Sequence, residues 1–227
     1  MREELLEELY KIITEEKVEK FEQIASLRTR HLTIVVENLY QEHNASAVMR
    51  SCDCFGIQDI HVIEKSNKFN VNREIAMGAG KWVDHYHYTD NLFPTKKCIT
   101  ALKDQGYKIV ATTPHTNDIK IQDLDISQPI ALMFGTEQTG LSESALEQAD
   151  EFVKIPMYGF TESFNISVSA ALSMSILRSK LELIEKTNWL LSKEEQTELK
   201  IKWCKNIIKN PDIAERDLLR RIKERKT

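Results

Sequence analysis

A polar cluster of Glu162, Ser163 and Asn165 stands directly before a long segment of small and apolar residues. Pro156 and Gly159 lie just ahead of the cluster and predict a rigid turn followed by a permissive one. Ser163 or Asn165 is a good N-cap for a helix that begins there. Backbone donors and side-chain acceptors that are held at such a helix N-terminus suit a small polar ligand. The sequence therefore predicts a ligand site at this point of the chain.

A second candidate is the loop from Gly135 to Gly140, which follows an apolar strand pattern ending at Phe134. The loop carries Glu137 where a phosphate-binding loop would carry a lysine. Backbone carbonyls and a carboxylate suit an adenine, a ribose or an ammonium group better than a phosphate. The dinucleotide fingerprint and the serine-hydrolase elbow are both absent from the sequence. These residues alone indicate an α/β enzyme with a polar ligand at the strand ends.

A third candidate joins Asn44 and Arg50. Asn44 ends a polar loop and is expected to be the N-cap of a helix from Ala45 to about Phe55. Arg50 lies in this helix among small and apolar residues, so its guanidinium needs a partner. The sequence leaves two interpretations open, a structural ion pair and a functional group.

The elements that must position these residues alternate between strands and helices. Buried-strand patterns are expected at 33–37, 59–63, 83–88, 107–112, 129–134 and 151–155. This alternation predicts an α/β fold with a mainly parallel sheet. Ligands of such sheets bind beyond the carboxyl ends of the strands. The three polar loops follow strands that end near Glu37, Phe134 and Ile155, so we expect them at one edge of the sheet.

Composition narrows the class of protein. The chain has 227 residues, of which 41% are hydrophobic and 29% charged, as in soluble globular proteins. No apolar run approaches the ~20 residues of a membrane span, and the N-terminus reads as an acidic helix and not as a signal peptide. Four cysteines without disulfide or zinc spacing indicate reduced thiols in a cytoplasmic protein. His85 and His87 share a strand face, but a third ligand is lacking, so no metal is predicted.

Charge is unevenly distributed along the chain. The formal net charge is -4, but residues 200–227 hold ten basic and four acidic residues, a net of +6 against -10 elsewhere. A basic tail on an acidic body can bind phosphates, although a solvated helix is the simpler interpretation. Arg28 and Arg30 form a basic connector before the first strand, either as a surface loop or as phosphate contacts.

Three segments together resemble the TrmH (SpoU) branch of the SPOUT superfamily, which methylates ribose 2′-hydroxyls of RNA. They are Asn44-Ala-Ser-Ala-Val-Met-Arg50, Phe134-Gly-Thr-Glu137-Gln-Thr-Gly-Leu-Ser142 and Ile155-Pro-Met-Tyr-Gly-Phe-Thr-Glu-Ser163-Phe-Asn165-Ile-Ser-Val168. They occur in the order and at the spacing of the family, and the resemblance covers about residues 30 to 180. It implies a C-terminal deep trefoil knot in the sheet, S-adenosylmethionine bound in the knot, and a homodimer.

The resemblance also implies roles for individual residues. The catalytic group would be Arg50, supported by Asn44, Glu137, Ser163 and Asn165. The residues expected to contact the cofactor are Thr112, Gly135, Ile155, Met157 and Phe164. The residues expected to contact RNA are Arg28, Arg30, His43, Arg220 and Arg221.

The layout of the chain bears on the substrate. A helical appendage at 1–30, a methyltransferase domain at 31–180 and a helical basic extension at 181–227 resemble the tRNA enzymes that methylate guanosine 18 of the D-loop. Three alternatives stay open: methylation of ribosomal RNA, methylation of another tRNA position, and a catalytically silent RNA-binding relative. A Rossmann-type methyltransferase is disfavoured because the Gly-rich first turn is missing.

Overall fold

The computed structural model describes residues 1–89, 92–114 and 118–226. The chain divides into two compact units, one formed by residues 29–189 and the other by residues 1–28 together with 190–227. Both ends of the chain therefore belong to the same unit. No helix in the described residues is both long and apolar enough to cross a membrane.

The larger unit is built on a seven-stranded sheet. Its strands are β1 (Leu32–Glu37), β2 (Asp59–Ile63), β3 (Asp84–Tyr88), β4 (Lys108–Thr112), β5 (Ile119–Lys120), β6 (Ile130–Phe134) and β7 (Glu151–Lys154). Their spatial order is β3-β2-β1-β6-β4-β7-β5, and every pairing among them is parallel. The predicted α/β fold with a mainly parallel sheet is confirmed. The two-residue strand β5 escaped prediction because it is too short to show a pattern.

Helices cover the sheet. They are α3 (Glu42–Cys54), α4 (Arg73–Ala76), α5 (Pro94–Asp104), α6 (Glu143–Gln148) and α7 (Ile166–Leu181), and three 3-10 turns lie at Ala79–Lys81, Ile121–Asp123 and Lys186–Asn188. Every residue of β1, β2 and β6 is buried, as expected for parallel strands covered on both faces. Val35 and Met133 pack in a core with Ile99 and Leu102 of α5 and Ala145 of α6. Helix α3 packs on α4 and α7.

The smaller unit is helical. It contains α1 (Arg2–Tyr10), α2 (Glu15–Ala25), α8 (Lys193–Ile207) and α9 (Pro211–Glu224). Helix α8 packs on α1 and α2, and Trp203 lies 5.4 Å from the Phe21 ring. Pro211 was expected to break the helical pattern, and it does so as the first residue of α9, where its missing N–H costs nothing. The predicted division at residues 30 and 180 remains a prediction.

Because all the strands run parallel, their carboxyl ends meet at one edge of the sheet. The loops that follow β1, β4, β6 and β7 leave from this edge. The three polar loops singled out in the sequence therefore lie at neighbouring positions, as predicted.

Candidate active site

The structure joins the three segments through a shared carboxylate. Glu137 Oε1 accepts hydrogen bonds from Asn44 Nδ2 at 2.6 Å and from Asn165 Nδ2 at 2.8 Å. Asn165 Nδ2 also lies 3.2 Å from Asn44 Oδ1, so the three side chains form a closed cluster. The cluster joins the helix after β1, the loop after β6 and the loop after β7. Hydrogen bonds to a charged acceptor are stronger than neutral ones, which holds these loops in one arrangement.

Of the two predicted N-cap candidates, Asn165 is the N-cap of α7. Its Oδ1 accepts from the Ser167 backbone N–H at 2.9 Å and from the Ser167 hydroxyl at 2.6 Å. Because the cap uses Oδ1, the amide group of Asn165 remains directed at Glu137. A single residue thus ends the loop, starts the helix and orients the carboxylate.

The prediction that Asn44 is the N-cap of its helix was wrong. Helix α3 begins at Glu42, after the N-cap Gln41, so Asn44 lies inside the first turn. Its buried side chain donates to Glu137 and to Gln41 Oε1 at 3.1 Å. Asn44 is therefore held by a carboxylate that is distant in the sequence, which local patterns cannot reveal.

A cavity of about 440 Å³ opens beside this cluster. Its lining includes all five residues predicted to contact a cofactor, namely Thr112, Gly135, Ile155, Met157 and Phe164. Glu137 and Ser163 also line it. The end of β4 and the loops after β6 and β7 supply these residues, and the volume lies within the range of small-molecule sites.

Gly135 allows the cavity wall to fold as it does. A Cβ atom on this residue would lie 2.0 Å from the carbonyl carbon of Gly140 and 2.2 Å from the backbone nitrogen of Leu141. Thr136 and Gly140 close the loop by exchanging two backbone hydrogen bonds of 3.0 Å. Gly140 has φ +68°, which side chains disfavour. Glycine is therefore required at residue 135, where the chain that leaves β6 lies against the backbone of Gly140 and Leu141.

Glu37 is a structural residue of this site that sequence reasoning missed. It is 2% exposed. Its carboxylate accepts from the Ser142 backbone N–H at 2.8 Å, the Ser142 hydroxyl at 2.7 Å, the Thr95 hydroxyl at 2.6 Å and Lys65 at 2.9 Å. Burial would raise the pKa of Glu37, but these hydrogen bonds together lower it below its usual value. Glu37 thus ties β1 to the N-terminus of α6. A lone acid at the end of an apolar strand was the available signal.

Arg50 is exposed on α3 and does not line the cavity. Within the described residues it has no hydrogen bond or ion pair, so the structural ion pair considered from the sequence is not found. It lies six residues after Asn44, about 9 Å along the helix axis. The structure therefore brings Asn44, Glu137, Ser163 and Asn165 to the cavity region and leaves Arg50 on the outer surface of the same helix.

Two residues expected at an RNA surface are engaged elsewhere. Arg28 is 1% exposed, and its guanidinium carbon lies 5.4 Å from the centre of the Trp203 ring. Arg30 forms ion pairs with Asp59 at 3.0 Å and Asp84 at 3.2 Å. These contacts engage both guanidinium groups within the protein, although the Arg30 side chain is 29% exposed, and phosphate binding by the two arginines remains a prediction.

The other three RNA candidates are exposed. His43 lies on the first turn of α3, and Arg220 and Arg221 lie on α9. Arg220 is 3.8 Å from Asp217 and 3.9 Å from Glu224, long distances for exposed ion pairs that hold the side chain weakly. Across the residues that the structure describes, no group of three or more His, Cys, Asp or Glu side chains is placed to hold a metal ion.

A sequence model of the SpoU rRNA methylase family matches residues 31–175 of this chain. The matched region contains the Asn44–Glu137–Asn165 cluster and the residues that line the cavity.

Individual proteins are similar over more of the chain. A tRNA (guanosine(18)-2′-O)-methyltransferase of Borreliella burgdorferi is 41% identical over 207 residues, which cover 91% of this chain and 93% of that protein. The tRNA modifying enzyme TrmH/SpoU of A. aeolicus superposes with a TM-score of 0.76 at 28% identity, covering 86% of this chain and 98% of that one. The SpoU methyltransferase AviRb of Streptomyces viridochromogenes, crystallised with AdoMet, shares the fold with a TM-score of 0.61 at 20% identity, over 71% of this chain and 65% of that one.

Proposed function

Since the chain belongs to the SpoU rRNA methylase family, we propose that it methylates the ribose 2′-hydroxyl of guanosine 18 in tRNA, with S-adenosylmethionine as the methyl donor. One observation carries the proposal. The cavity after β4, β6 and β7 adjoins a cluster in which Asn44 and Asn165 hold the Glu137 carboxylate. A cofactor site beside fixed polar groups is what transfer of a methyl group to a hydroxyl requires.

The cavity suits the proposed cofactor. Its lining includes Gly135, Ile155 and Met157, and the Gly135 backbone lies against the backbone of Gly140 and Leu141 with no room for a Cβ. The hydroxyl of Thr112 already donates to the Met133 carbonyl at 2.7 Å. Toward a ligand it can therefore act only as a hydrogen-bond acceptor. S-adenosylmethionine supplies a methyl group already activated on a sulfonium. The work left to the protein is to align a poorly nucleophilic hydroxyl.

Arg50 is proposed to act on the ribose. Arginine stays protonated in proteins, so it cannot serve as the general base. We assign it instead to a neighbouring phosphate and to polarisation of the 2′-hydroxyl, with the proton lost late or to water. Its exposure on α3 without a protein ion pair within the described residues leaves the guanidinium able to take an RNA partner.

The remaining RNA contacts are proposed for His43, Arg220 and Arg221, because all three are exposed. Residues 200–227 carry a net charge of +6. Phosphate contacts of this kind position an RNA without reading its sequence. We place the protein in the cytoplasm, where its tRNA substrate would be found.

Two copies of the chain are proposed to associate. Large apolar side chains are exposed near the site, including Tyr158 and Phe160 in the loop after β7, and Val168 and Leu172 on α7. Apolar side chains grouped in this way mark association surfaces. The proposed trefoil knot fits the same region, because the loops after β6 and β7 meet at one cavity. A monomeric mass in light scattering would contradict the dimer.

Ribosomal RNA is the second candidate substrate, because the matching family is described by rRNA methylation. Purified protein, labelled S-adenosylmethionine and two RNAs separate the candidates: an unmodified tRNA transcript and ribosomal RNA. Label at the tRNA D-loop guanosine supports the proposal. Label on ribosomal RNA alone would overturn the substrate and keep the chemistry.

A further inference from the structure

A second cavity of about 360 Å³ lies against the helix that carries Arg50. Met49 of α3 forms one wall, the segment from Phe69 to Lys81 forms another, and the edge strand β3 contributes His85 and His87. This cavity shares no lining residue with the first one. It is therefore separate from the cofactor cavity, and Met49 is its contact with α3.

The lining of this cavity is cationic. Arg73 and Lys81 carry positive charge, and His85 and His87 complete this part of the wall. No aspartate or glutamate belongs to the described lining residues. The neighbouring carboxylate of Glu64 is engaged, since Oε1 accepts from the Phe69 backbone N–H at 2.6 Å and Oε2 lies 3.6 Å from His87 Nδ1. This concentration of positive charge on an acidic protein favours an anion.

The segment that carries Arg73 is fixed in place. Asn38 Oδ1 accepts from the backbone N–H groups of Ser66 at 3.0 Å and Asn67 at 2.9 Å. The Asn72 N–H donates to Ser46 of α3 at 2.7 Å, and the Asn72 side chain caps α4. These bonds anchor the segment to β1 and to α3. The cavity therefore does not depend on a freely moving loop.

The histidines on β3 form a pair, with His85 Nδ1 3.1 Å from His87 Nε2. One of these two nitrogens must donate and the other accept, which orders both rings on the cavity wall. Both nitrogens of His87 face His85 and Glu64, so the pair contributes ordered rings to the wall, and the positive charge comes from Arg73 and Lys81.

We propose that this cavity binds a backbone phosphate of the RNA substrate, at a position along the strand from the nucleotide that Arg50 contacts. The inference rests on the proposed RNA-methylating function. A volume of about 360 Å³ accommodates a phosphate with part of its ribose. The site contributes affinity and register and takes no part in methyl transfer, because it is separate from the cofactor cavity.

The test compares Arg73→Glu with Lys96→Glu. Both variants reverse one exposed charge in the larger unit, but Lys96 lies on α5 and lines neither cavity. The dissociation constant for an unmodified tRNA transcript is measured at several salt concentrations. We expect Arg73→Glu to raise the dissociation constant at least about fivefold. The slope of its logarithm against the logarithm of the salt concentration should fall by about one, with Lys96→Glu close to wild type. Arg73→Lys should keep most of the affinity.

Equal losses in the two charge reversals, or no loss in either, would overturn the inference, as would failure of the wild-type protein to bind RNA. Thermal melting identifies a variant that has lost its fold, and Arg73→Gln, which removes the charge without reversing it, then replaces Arg73→Glu. Methylation of guanosine 18 by the wild-type protein is scored separately. Its absence contradicts the proposed function, whereas the Arg73 and Lys96 comparison addresses only the phosphate site.

Discussion

Asn44 Nδ2 lies 2.6 Å from Glu137 Oε1, although 93 residues separate them in the chain. This hydrogen bond joins the helix after β1 to the loop after β6, and Asn165 donates to the same oxygen from the loop after β7. The Glu137 carboxylate is therefore the common acceptor of the site. The negative charge of the carboxylate strengthens the hydrogen bonds that both amide groups donate to it.

Replacement of Glu137 by Gln tests this role. The substitution keeps the size of the side chain but turns a charged double acceptor into a weaker one. Loss of a charge-assisted hydrogen bond costs about 1.5–3 kcal/mol, so we expect methylation to fall roughly tenfold to a hundredfold. Single-turnover rates with saturating cofactor measure the change. A rate within twofold of wild type would show that the carboxylate does not organise the site.

Gly135→Ala should damage the cofactor cavity. The added methyl group would lie 2.0 Å from the Gly140 carbonyl carbon, so the loop must shift. We expect the dissociation constant for S-adenosylmethionine, measured by calorimetry, to rise at least about tenfold, in line with the few kcal/mol typical of overpacking. Gly80→Ala is the matched control, because a Cβ there meets nothing within 4 Å. Unchanged binding in Gly135→Ala would contradict the assignment of the cavity.

Arg50→Lys separates charge from geometry. Lysine keeps the positive charge but loses the planar fork that can hold a phosphate and a hydroxyl together. We expect kcat to fall by at least about tenfold, the loss of one charge-assisted contact, while binding of S-adenosylmethionine stays unchanged. Near-normal turnover would exclude a two-point role for the guanidinium. Lys96→Glu serves as the control and should retain kcat, because Lys96 is exposed and lines neither cavity.

Because of Glu37, the free energy of unfolding should fall in acid. Its pKa is lowered in the folded protein, so the unfolded chain binds the proton more readily. The stabilisation is present above the ordinary carboxyl pKa and is lost as pH falls through the lower folded value. Glu37→Gln should lower the free energy of unfolding by about 1–3 kcal/mol at pH 7 and weaken the decline below the ordinary value. Denaturant titrations at pH 7 and in acid would detect both effects.

The buried His61 should cause a second decline in the free energy of unfolding, at a higher pH than the decline caused by Glu37. Burial lowers its pKa to about 4, and the ring stacks on Tyr86 with centroids 4.9 Å apart. The unfolded chain takes up this proton near the ordinary histidine value of about 6.5, so stability should fall as pH drops from there to about 4. His61→Phe should flatten the curve in this window. A slope equal to that of wild type would contradict the assignment.

Local patterns predicted a large part of this structure. Apolar runs placed the strands β1, β2 and β6 within one residue of their observed starts, because burial on both faces leaves a continuous signal. The N-cap at Asn165 was also predictable, since capping depends on neighbours in the sequence. Four of the five expected cofactor residues lie in the family motifs, and all five line one cavity.

Contacts between distant residues were not predictable. Arg30 looked like a free surface arginine because Asp59 and Asp84 come later in the chain and reach it only through pairing of the strands. Glu37 lacked any local sign of its bonds to Thr95 and Ser142. Asn44 fitted a capping pattern, but its helix begins at Glu42 and its side chain donates to a distant carboxylate. In each case the partner is fixed by the fold of the sheet.

The most direct measurement of the central claim uses two tRNA transcripts that differ in one oxygen atom. One has an ordinary guanosine at position 18, and the other has dG18, which lacks the 2′-hydroxyl. Incubation with labelled S-adenosylmethionine should label the first transcript and leave the second unlabelled. Equal label in both RNAs would place the methyl group elsewhere and contradict 2′-O-methylation of guanosine 18.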